Sequence, residues 1–310
     1  MNSSLQHTIK KNITLVGIGL HSGKEVKLRI KPAPVNSGIR FLRKDVEPQV
    51  LIPARIQYVT DVRFATTIGI GNSTVSTIEH LMSAFAGVGI DNAIVELDGP
   101  EVPAIDGSAY SFVALLKKAG KKEQAQSRRY LKILKPVAVK NGDSFISAEP
   151  CDVMTVTLEI DFDHPMIARQ KFSGVINEQV YEDQIARART FGFLKEVEMM
   201  QKNGLALGGS LENAVVLSER SIINEEGLRF PDEFVKHKVL DLIGDLYLIG
   251  MPMIAHVQGY KSGHMLHSKL LQAILNDADN YEVVEQDKNV VKRRYWNVSS
   301  KPASAAVANI

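Results

Sequence analysis

The sequence predicts an α+β protein of two similar domains, each a β-sheet layered with helices, with the helices of both domains packed between the two sheets. Residues 25–31 and 154–162 alternate apolar and polar side chains, as half-buried strands do. The order strands, helix, strand, helix occurs once in each half of the 310-residue chain. The predicted helices are amphipathic, so two such layers would bury their apolar faces against each other.

The elements of the first half follow the alternating strand in a simple order. They are a strand at residues 25–31, a helix at 76–87, a strand at 92–97 and a helix at 109–118. Ser76 and Glu79 are spaced as in a capping box, which predicts where the first helix begins. Glycines at 17, 19 and 23 resemble a dinucleotide-binding fingerprint. A strand follows them where a helix is required, so tight turns are the better interpretation.

The second half repeats this order after a polar run. Its predicted elements are a strand at residues 154–162, a helix at 231–248, a strand at 253–260 and a helix at 264–275. Residues 120–129 are polar and lack apolar periodicity, which is typical of a linker. We therefore expect domains at 1–124 and 125–278, followed by a C-terminal extension at 279–310 that ends in a loose tail from 299.

The composition excludes several classes of protein. Hydrophobic residues make up 45% of the chain and charged residues 23%, which is typical of soluble globular proteins. The single cysteine, Cys151, allows no internal disulfide and fits a reducing compartment. The net charge is +2 and the basic residues are dispersed, so nucleic acid is not an expected partner. Because there is no signal peptide and no membrane-spanning run, we expect a cytoplasmic protein.

The most informative stretch is FPDEFVKHKVLDLIGDLYLIG, residues 230–250. Proline and acids at its start and a glycine at its end predict a helix. His237, Lys238, Asp241 and Asp245 share the side opposite its apolar residues. Side chains four residues apart stand one above the other, so His237 and Asp241 can reach a single point. Two interpretations remain open here: a pair of metal ligands, or the solvated face of an amphipathic helix.

A third metal ligand is available from the first half of the chain. If the halves are duplicates, the helix at 76–87 is equivalent to the helix at 231–248 and places His80 opposite His237 and Asp241. Catalytic zinc takes three protein ligands of this kind and lowers the pKa of a water in the fourth position to about 7. Glu79 is a candidate general base for such a site, or it is only one half of the capping box.

Further polar residues are candidates for the chemistry. His264 is a candidate general acid if a carboxylate such as Asp245 raises its pKa; otherwise it is a loop residue. The Thr190 hydroxyl can stabilise an oxyanion. Lys238 can meet a substrate phosphate, or it lies on a solvated face. His267 is expected to face solvent or the core.

Residues 183–218 are extra material in the second half. Their apolar residues, including Phe191 and Phe193, exceed what a short connection needs. They form either a helix and a strand that complete the sheet, or an apolar channel or lid for a greasy substrate.

Five segments together resemble one known family. They are TIEHLMSAFAGVGIDN from Thr77, PAIDGSA from Pro103, RARTFGF from Arg187, GLRFPDEFVKHKVLDLIGDL from Gly227 and YKSGHMLHSKLLQAIL from Tyr260. The chain is similar to the UDP-3-O-acyl-N-acetylglucosamine deacetylases, the zinc enzymes that commit Gram-negative bacteria to lipid A synthesis. The resemblance extends from about residue 7 to about residue 275, with the segments in the family's order.

The resemblance implies a role for each candidate residue. The implied metal ligands are His80, His237 and Asp241, and the implied catalytic residues are Glu79 as general base, His264 as general acid with Asp245 as its partner, and Thr190 as the group that polarises the carbonyl. Implied substrate contacts are Lys238, Phe191, Phe193, Gly209 and Ser210. The segment at 183–218 matches the family's acyl passage, which favours the channel interpretation.

The reaction that the resemblance implies is hydrolysis of the N-acetyl amide of UDP-3-O-(3-hydroxyacyl)-N-acetylglucosamine to acetate and a free amine. We expect a monomer that binds Zn²⁺, with Fe²⁺ as a substitute. One alternative is an iron oxygenase, which also uses two histidines and one carboxylate. Another is an RNA- or protein-binding module, which would need a concentrated basic face that the dispersed charges do not provide.

Overall fold

The computed structural model of the chain describes residues 4–285. The strands in chain order are β1 (Leu5–Ile9), β2 (Ile13–Ile18), β3 (Glu25–Pro32), β4 (Ile39–Arg43), β5 (Leu51–Pro53), β6 (Val59–Asp61), β7 (Thr67–Ile70), β8 (Ser73–Val75), β9 (Ala93–Leu97), β10 (Lys121–Ser127), β11 (Arg129–Ile133), β12 (Val137–Asn141), β13 (Ser144–Glu149), β14 (Thr155–Asp161), β15 (Arg169–Val175), β16 (Phe191–Phe193), β17 (Val215–Leu217), β18 (Met253–Ile254), β19 (His256–Tyr260) and β20 (Tyr281–Glu285). The α-helices are α1 (Glu79–Val88), α2 (Tyr110–Ala119), α3 (Glu178–Val180), α4 (Leu194–Lys202), α5 (Glu233–Leu246) and α6 (His264–Leu275).

Two five-stranded sheets share one pairing pattern. Their strand orders are β2-β3-β9-β4-β5 and β12-β13-β19-β14-β15. In each sheet the central strand, β9 or β19, pairs antiparallel on one side and parallel on the other. Each central strand also lies between two helices in the chain, α1 and α2 in one half and α5 and α6 in the other. The duplication predicted from element order is therefore present in the hydrogen bonding of the sheets.

The α+β fold class is confirmed, because the sheets present apolar faces that the helices cover. In β3 the side chains of Val26, Leu28 and Ile30 are fully buried while their neighbours face outward. Helix α6 packs on β12 and β13, α5 packs on β14 and β15, and α1 packs on α2 and α5. Apolar residues of both sheets and of these helices form one continuous core.

Helix α1 begins three residues later than predicted. Thr77 has a φ of 56°, in the left-handed region, so the helix cannot start at Ser76. Ile78 is the residue before the first turn, and no side chain caps that turn. The predicted capping box is therefore wrong. The helix continues past Gly87 to Val88 and is closed by Gly89, which adopts the left-handed conformation typical of a C-terminal stop.

The polar run at 120–129 is not a free linker, and that prediction is wrong. Most of it forms β10, which pairs antiparallel with β1 at the start of the chain. Polar residues suffice there because the backbone ladder, not an apolar face, holds the strand in place. In the C-terminal extension, β20 pairs with β11, while the predicted tail at 299–310 lies outside the described residues. The domain boundaries remain a prediction. Among the described helices, none has the length and apolar character that crossing a bilayer requires.

Candidate metal centre

A close crossing of two helices builds the site. Helices α1 and α5 approach so tightly at Gly244 that a Cβ added there would lie 2.0 Å from the carbonyl oxygen of Glu79. Only glycine permits this separation of the two backbones. The crossing brings the first turn of α1, with Glu79 and His80, against the middle of α5, with His237 and Asp241.

Three of the predicted residues converge on one point. The Nε2 atoms of His80 and His237 each lie 3.4 Å from Oδ1 of Asp241. The ligand atoms of the three side chains all lie within 4.8 Å of one another, so the group can hold a metal ion. His237 and Asp241 are each only 2% exposed. The solvated-face interpretation of this side of α5 is therefore wrong.

The hydrogen bonds around the group leave a place for a cation. Nδ1 of His237 donates to the carbonyl of Ala188 at 3.1 Å, so the Nε2 lone pair faces Asp241. Oδ2 of Asp241 accepts from Nζ of Lys238 at 2.8 Å, whereas Oδ1 is buried and has no hydrogen-bond partner within residues 4–285. A buried acceptor without a partner is costly. Two imidazole nitrogens and this carboxylate oxygen are the donor set of a catalytic metal site, so the residues fit a metal ion.

The charges favour the ligand forms of these side chains. Burial lowers the pKa of His237 to about 3, so its imidazole is neutral at physiological pH. Burial alone would raise the pKa of Asp241, but His237 and the ammonium of Lys238 hold it well below its usual range. A neutral imidazole and an ionised carboxylate are the states in which these groups bind metals.

Glu79 lies beside the group and does not cap its helix. Its Oε2 accepts from the backbone N–H of Thr66 at 3.0 Å, so the capping interpretation is wrong. Its Oε1 lies 3.9 Å from Nε2 of His264. Burial raises the pKa of Glu79, and the imidazoles of His264 and His80 oppose that shift. A carboxylate with a raised pKa, next to a metal site and facing an imidazole, is suited to accept a proton.

His264 and Asp245 form a close pair. The Nδ1 atom of His264 donates to Oδ2 of Asp245 at 2.6 Å, and Oδ1 of Asp245 accepts from the Thr66 hydroxyl at 2.6 Å. Burial alone would lower the pKa of His264, but the Asp245 carboxylate raises it to about 9. The pair therefore keeps a proton on Nε2 of His264, which faces Glu79.

Two residues at this pair were not predicted as functional. Thr66 contacts both Glu79 and Asp245, and nothing in its sequence neighbourhood indicates this. His267 is buried in the core, and its Nδ1 donates to Oδ2 of Asp245 at 2.7 Å. His267 follows His264 by three residues in a predicted helix, and such residues share a helix face. That spacing could have predicted that the two histidines lie together.

Thr190 and Lys238 are each close in the chain to a residue of the group or to its hydrogen-bond partner. Thr190 is held by its backbone: its N–H donates to Gly107 and its carbonyl accepts from Val215, both at 2.8 Å. It follows Ala188, the residue that orients His237, by two positions. Lys238 donates to Asp241, so its described contact is with a candidate metal ligand rather than with open solvent.

Aromatic rings line the side of the group next to His237. The ring centroid of Phe191 lies 6.2 Å from that of His237 and 4.9 Å from that of Phe234. Phe162 joins Phe191 and Phe193, with centroid distances of 5.8 and 6.0 Å. Phe162 was not singled out from the sequence, because it ends an ordinary alternating strand.

The extra segment at 183–218 does not complete the five-stranded sheet. Its strands β16 and β17 pair with each other, and α4 has no buried residue. The segment docks on the first domain, where Leu207 and Gly208 donate backbone hydrogen bonds to His21 and Leu20. Gly209 and Ser210 lie at this contact, and their described hydrogen bonds remain within the segment.

The chain is similar to known proteins over most of its length. The model of the family described as LpxC, UDP-3-O-acyl N-acetylglycosamine deacetylase, matches residues 6–276. A protein of Acidithiobacillus ferrooxidans named UDP-3-O-acyl-N-acetylglucosamine deacetylase is 50% identical over 282 residues, which cover 90% of this chain and 93% of the relative. Proteins of the same name from Myxococcus xanthus and Syntrophus aciditrophicus are 50% and 48% identical, over 90% and 89% of this chain and 89% and 88% of the relatives.

Proposed function

Because the chain belongs to the UDP-3-O-acyl N-acetylglycosamine deacetylase family, we propose that it removes the N-acetyl group from UDP-3-O-(3-hydroxyacyl)-N-acetylglucosamine. The products are acetate and a free amine, and the reaction is the committed step of lipid A biosynthesis in the cytoplasm. The observation that carries the proposal is the unpartnered Oδ1 of Asp241 between two imidazoles, next to Glu79 and His264.

The cofactor of this reaction is Zn²⁺, with Fe²⁺ as a substitute. His80, His237 and Asp241 would hold it, which is the donor set of catalytic zinc sites. When bound, the cation supplies a Lewis acid and lowers the pKa of water toward neutrality. The Nδ1–H of His237 keeps its ring turned toward the site, and Lys238 holds the other oxygen of Asp241 away from it.

Two groups of the chain move the protons. Glu79 accepts a proton from the attacking water at its carboxylate, which burial makes more basic. His264 holds a proton at Nε2 and gives it to the leaving amine nitrogen, while Asp245 stabilises the imidazolium through Nδ1. Glu79 Oε1 and His264 Nε2 are 3.9 Å apart, so the two groups can serve the water and the amine nitrogen on the same carbonyl carbon. The Thr190 hydroxyl donates to the oxyanion that forms there.

Substrate recognition surrounds this centre. Phe191 and Phe193 offer apolar contact next to His237, and the segment at 183–218, with Gly209 and Ser210, forms the passage for the acyl chain. Lys238 contacts the substrate phosphates in addition to Asp241. The enzyme acts as a monomer.

The test is acetate release from the UDP-linked acyl sugar, measured on the full chain before chelation, after chelation and after zinc is returned. We expect activity to vanish with chelator and to recover with zinc. Glu79→Gln and His264→Gln should each lower kcat by about 10²- to 10⁴-fold without loss of bound metal. Matched changes far from the site, Glu282→Gln and His7→Gln, should leave kcat unchanged. Near-normal turnover in Glu79→Gln or His264→Gln would remove that residue from the mechanism.

A further inference from the structure

A buried histidine outside the proposed mechanism shares a carboxylate oxygen with the general acid. His267 is 1% exposed, and its Nδ1 lies 2.7 Å from Oδ2 of Asp245. His264 Nδ1 lies 2.6 Å from the same atom. The two rings come from consecutive turns of α6, with centroids 6.1 Å apart and planes at 81°. They therefore approach the oxygen from different directions without competing for the same space.

The contacts of His267 define its proton positions. Asp245 is ionised, because its imidazole partners hold its pKa below the usual range despite burial, so it can only accept hydrogen bonds. The Nδ1 of His267 must therefore carry its proton. Burial lowers the pKa of His267, which leaves Nε2 as a lone pair. That lone pair accepts from the hydroxyl of buried Ser262 at 3.2 Å, which fixes the tautomer.

Oδ2 of Asp245 thus has both of its lone pairs used by imidazole N–H groups. Its other oxygen, Oδ1, accepts from Thr66. A hydrogen bond to a carboxylate stabilises its charge and makes it a weaker base. Each hydrogen bond that Asp245 accepts from another group therefore weakens its attraction for the proton of the His264 imidazolium. His264 itself is faced by Asp245 and Asp241 from α5 and by Glu79 from α1. His267 is faced by Asp245, by His264 and by Lys238 of α5.

We propose that His267 is a positioning residue, whose Nδ1–H fixes the shared oxygen of Asp245 against His264 and limits how strongly Asp245 retains the proton that His264 must donate. The inference rests on the proposed function, in which His264 is the general acid. His267 acts through Asp245 and does not touch substrate or metal ligands in the described contacts.

Two substitutions separate this role from simple packing. Asparagine places an amide nitrogen where Nδ1 of histidine lies, so His267→Asn can keep the bond to Asp245. His267→Leu fills similar space without any donor. If His267 only fills the core, leucine is the better replacement; if it donates to Asp245, asparagine is.

The experiment uses the full chain with zinc, and measures kcat, KM and the pH profile of acetate release. His267→Leu should lower kcat about 10- to 100-fold at unchanged KM and metal content, as is typical for loss of an outer hydrogen-bond partner. The alkaline limb of its pH profile should move to higher pH, because Asp245 becomes more basic and raises the pKa of His264. His267→Asn should have most of the wild-type kcat, and the alkaline limb of its pH profile should lie at the wild-type pH. A folded His267→Leu enzyme with wild-type kcat and an unmoved limb would overturn the proposal.

Two further measurements keep the inference testable by itself. Ser262→Ala leaves the hydrogen bond from His267 to Asp245 in place but removes the hydroxyl that fixes the tautomer of His267. It should therefore move the alkaline limb of the pH profile in the same direction as His267→Leu, by a smaller amount. The titration of His264 can also be followed by NMR in metal-free protein. His267→Leu should raise that titration point even if the wild-type chain released no acetate, so failure of the proposed function and failure of this inference give different results. An unmoved titration point in both variants would contradict the role of His267.

Discussion

Replacing Gly244 by alanine tests whether the crossing of α1 and α5 sets the geometry of the metal centre. The new Cβ would lie 2.0 Å from the carbonyl oxygen of Glu79, 2.8 Å from its carbonyl carbon and 3.1 Å from the amide nitrogen of Ser83. All three atoms are backbone of α1, so no side chain can rotate away. Since non-bonded atoms rest at about 3.5 Å, the helices must separate by roughly 1.5 Å at this point.

The separation should affect stability and metal binding together. At an exposed helix position the change from glycine to alanine stabilises by about 1 kcal/mol, so the sign of the effect is itself informative. Here overpacking should cost about 3 kcal/mol, which corresponds to a fall in Tm of roughly 6–12 °C. Metal sites tolerate distance errors of only about 0.2 Å, so His80 would be displaced from His237 and Asp241.

Calorimetry and zinc competition with a coloured chelator provide the assay. We expect Gly244→Ala to bind zinc at least about 10-fold more weakly, as for loss of a supporting residue around a metal. Gly174→Ala in β15 is the control, because its Cβ would meet only the ring of Phe172 at 3.4 Å. A Gly244→Ala protein with an unchanged or higher Tm and wild-type zinc affinity would refute the claim that this glycine sets the ligand geometry.

Three further perturbations give distinct outcomes. Arg189, next to Thr190, pairs with fully buried Glu233 and with Glu226, whose side chain is 58% exposed. Glu233→Gln should lower the free energy of unfolding by about 3–5 kcal/mol, measured by thermal unfolding, because it breaks a buried pair. Glu226→Gln should leave Tm nearly unchanged. In metal-free protein, NMR should find His264 protonated until about pH 9, because Asp245 raises its pKa. Asp245→Asn should lower that titration point, since burial then opposes only the weaker effects of Glu79 and Asp241, and a wild-type value below 6.5 would contradict the pairing. Chelation should lower Tm, because the protein loses about 4 kcal/mol of stabilisation if zinc was present at a thousand times its Kd. In Asp241→Asn, chelation should leave Tm unchanged.

Local spacing explains what the sequence could predict. His237 and Asp241 are four apart on one helix, so their proximity follows from helix geometry alone. Apart from the family resemblance, His80 became predictable only through the repeated order of elements, which the two sheets share. Contacts between distant positions had no such signal. Thr66 bonds Asp245 across 179 residues, and β10 pairs with β1 across most of the first domain.

The burial of the polar face of α5 shows why amphipathicity alone left two interpretations open at an interface between two repeated units. An amphipathic helix on one sheet buries one side and exposes the other. Here α1 covers the second side of α5, so both sides are buried, and the polar side becomes the site. Buried carboxylates and imidazoles persist only if each finds a partner. Thr66, His264 and His267 donate to the carboxylate of Asp245, and Lys238 donates to Oδ2 of Asp241. Oδ1 of Asp241 is buried without a hydrogen-bond partner among the described residues, and we assign it to the metal. The same requirement that stabilises the interface therefore identifies the position of the cation.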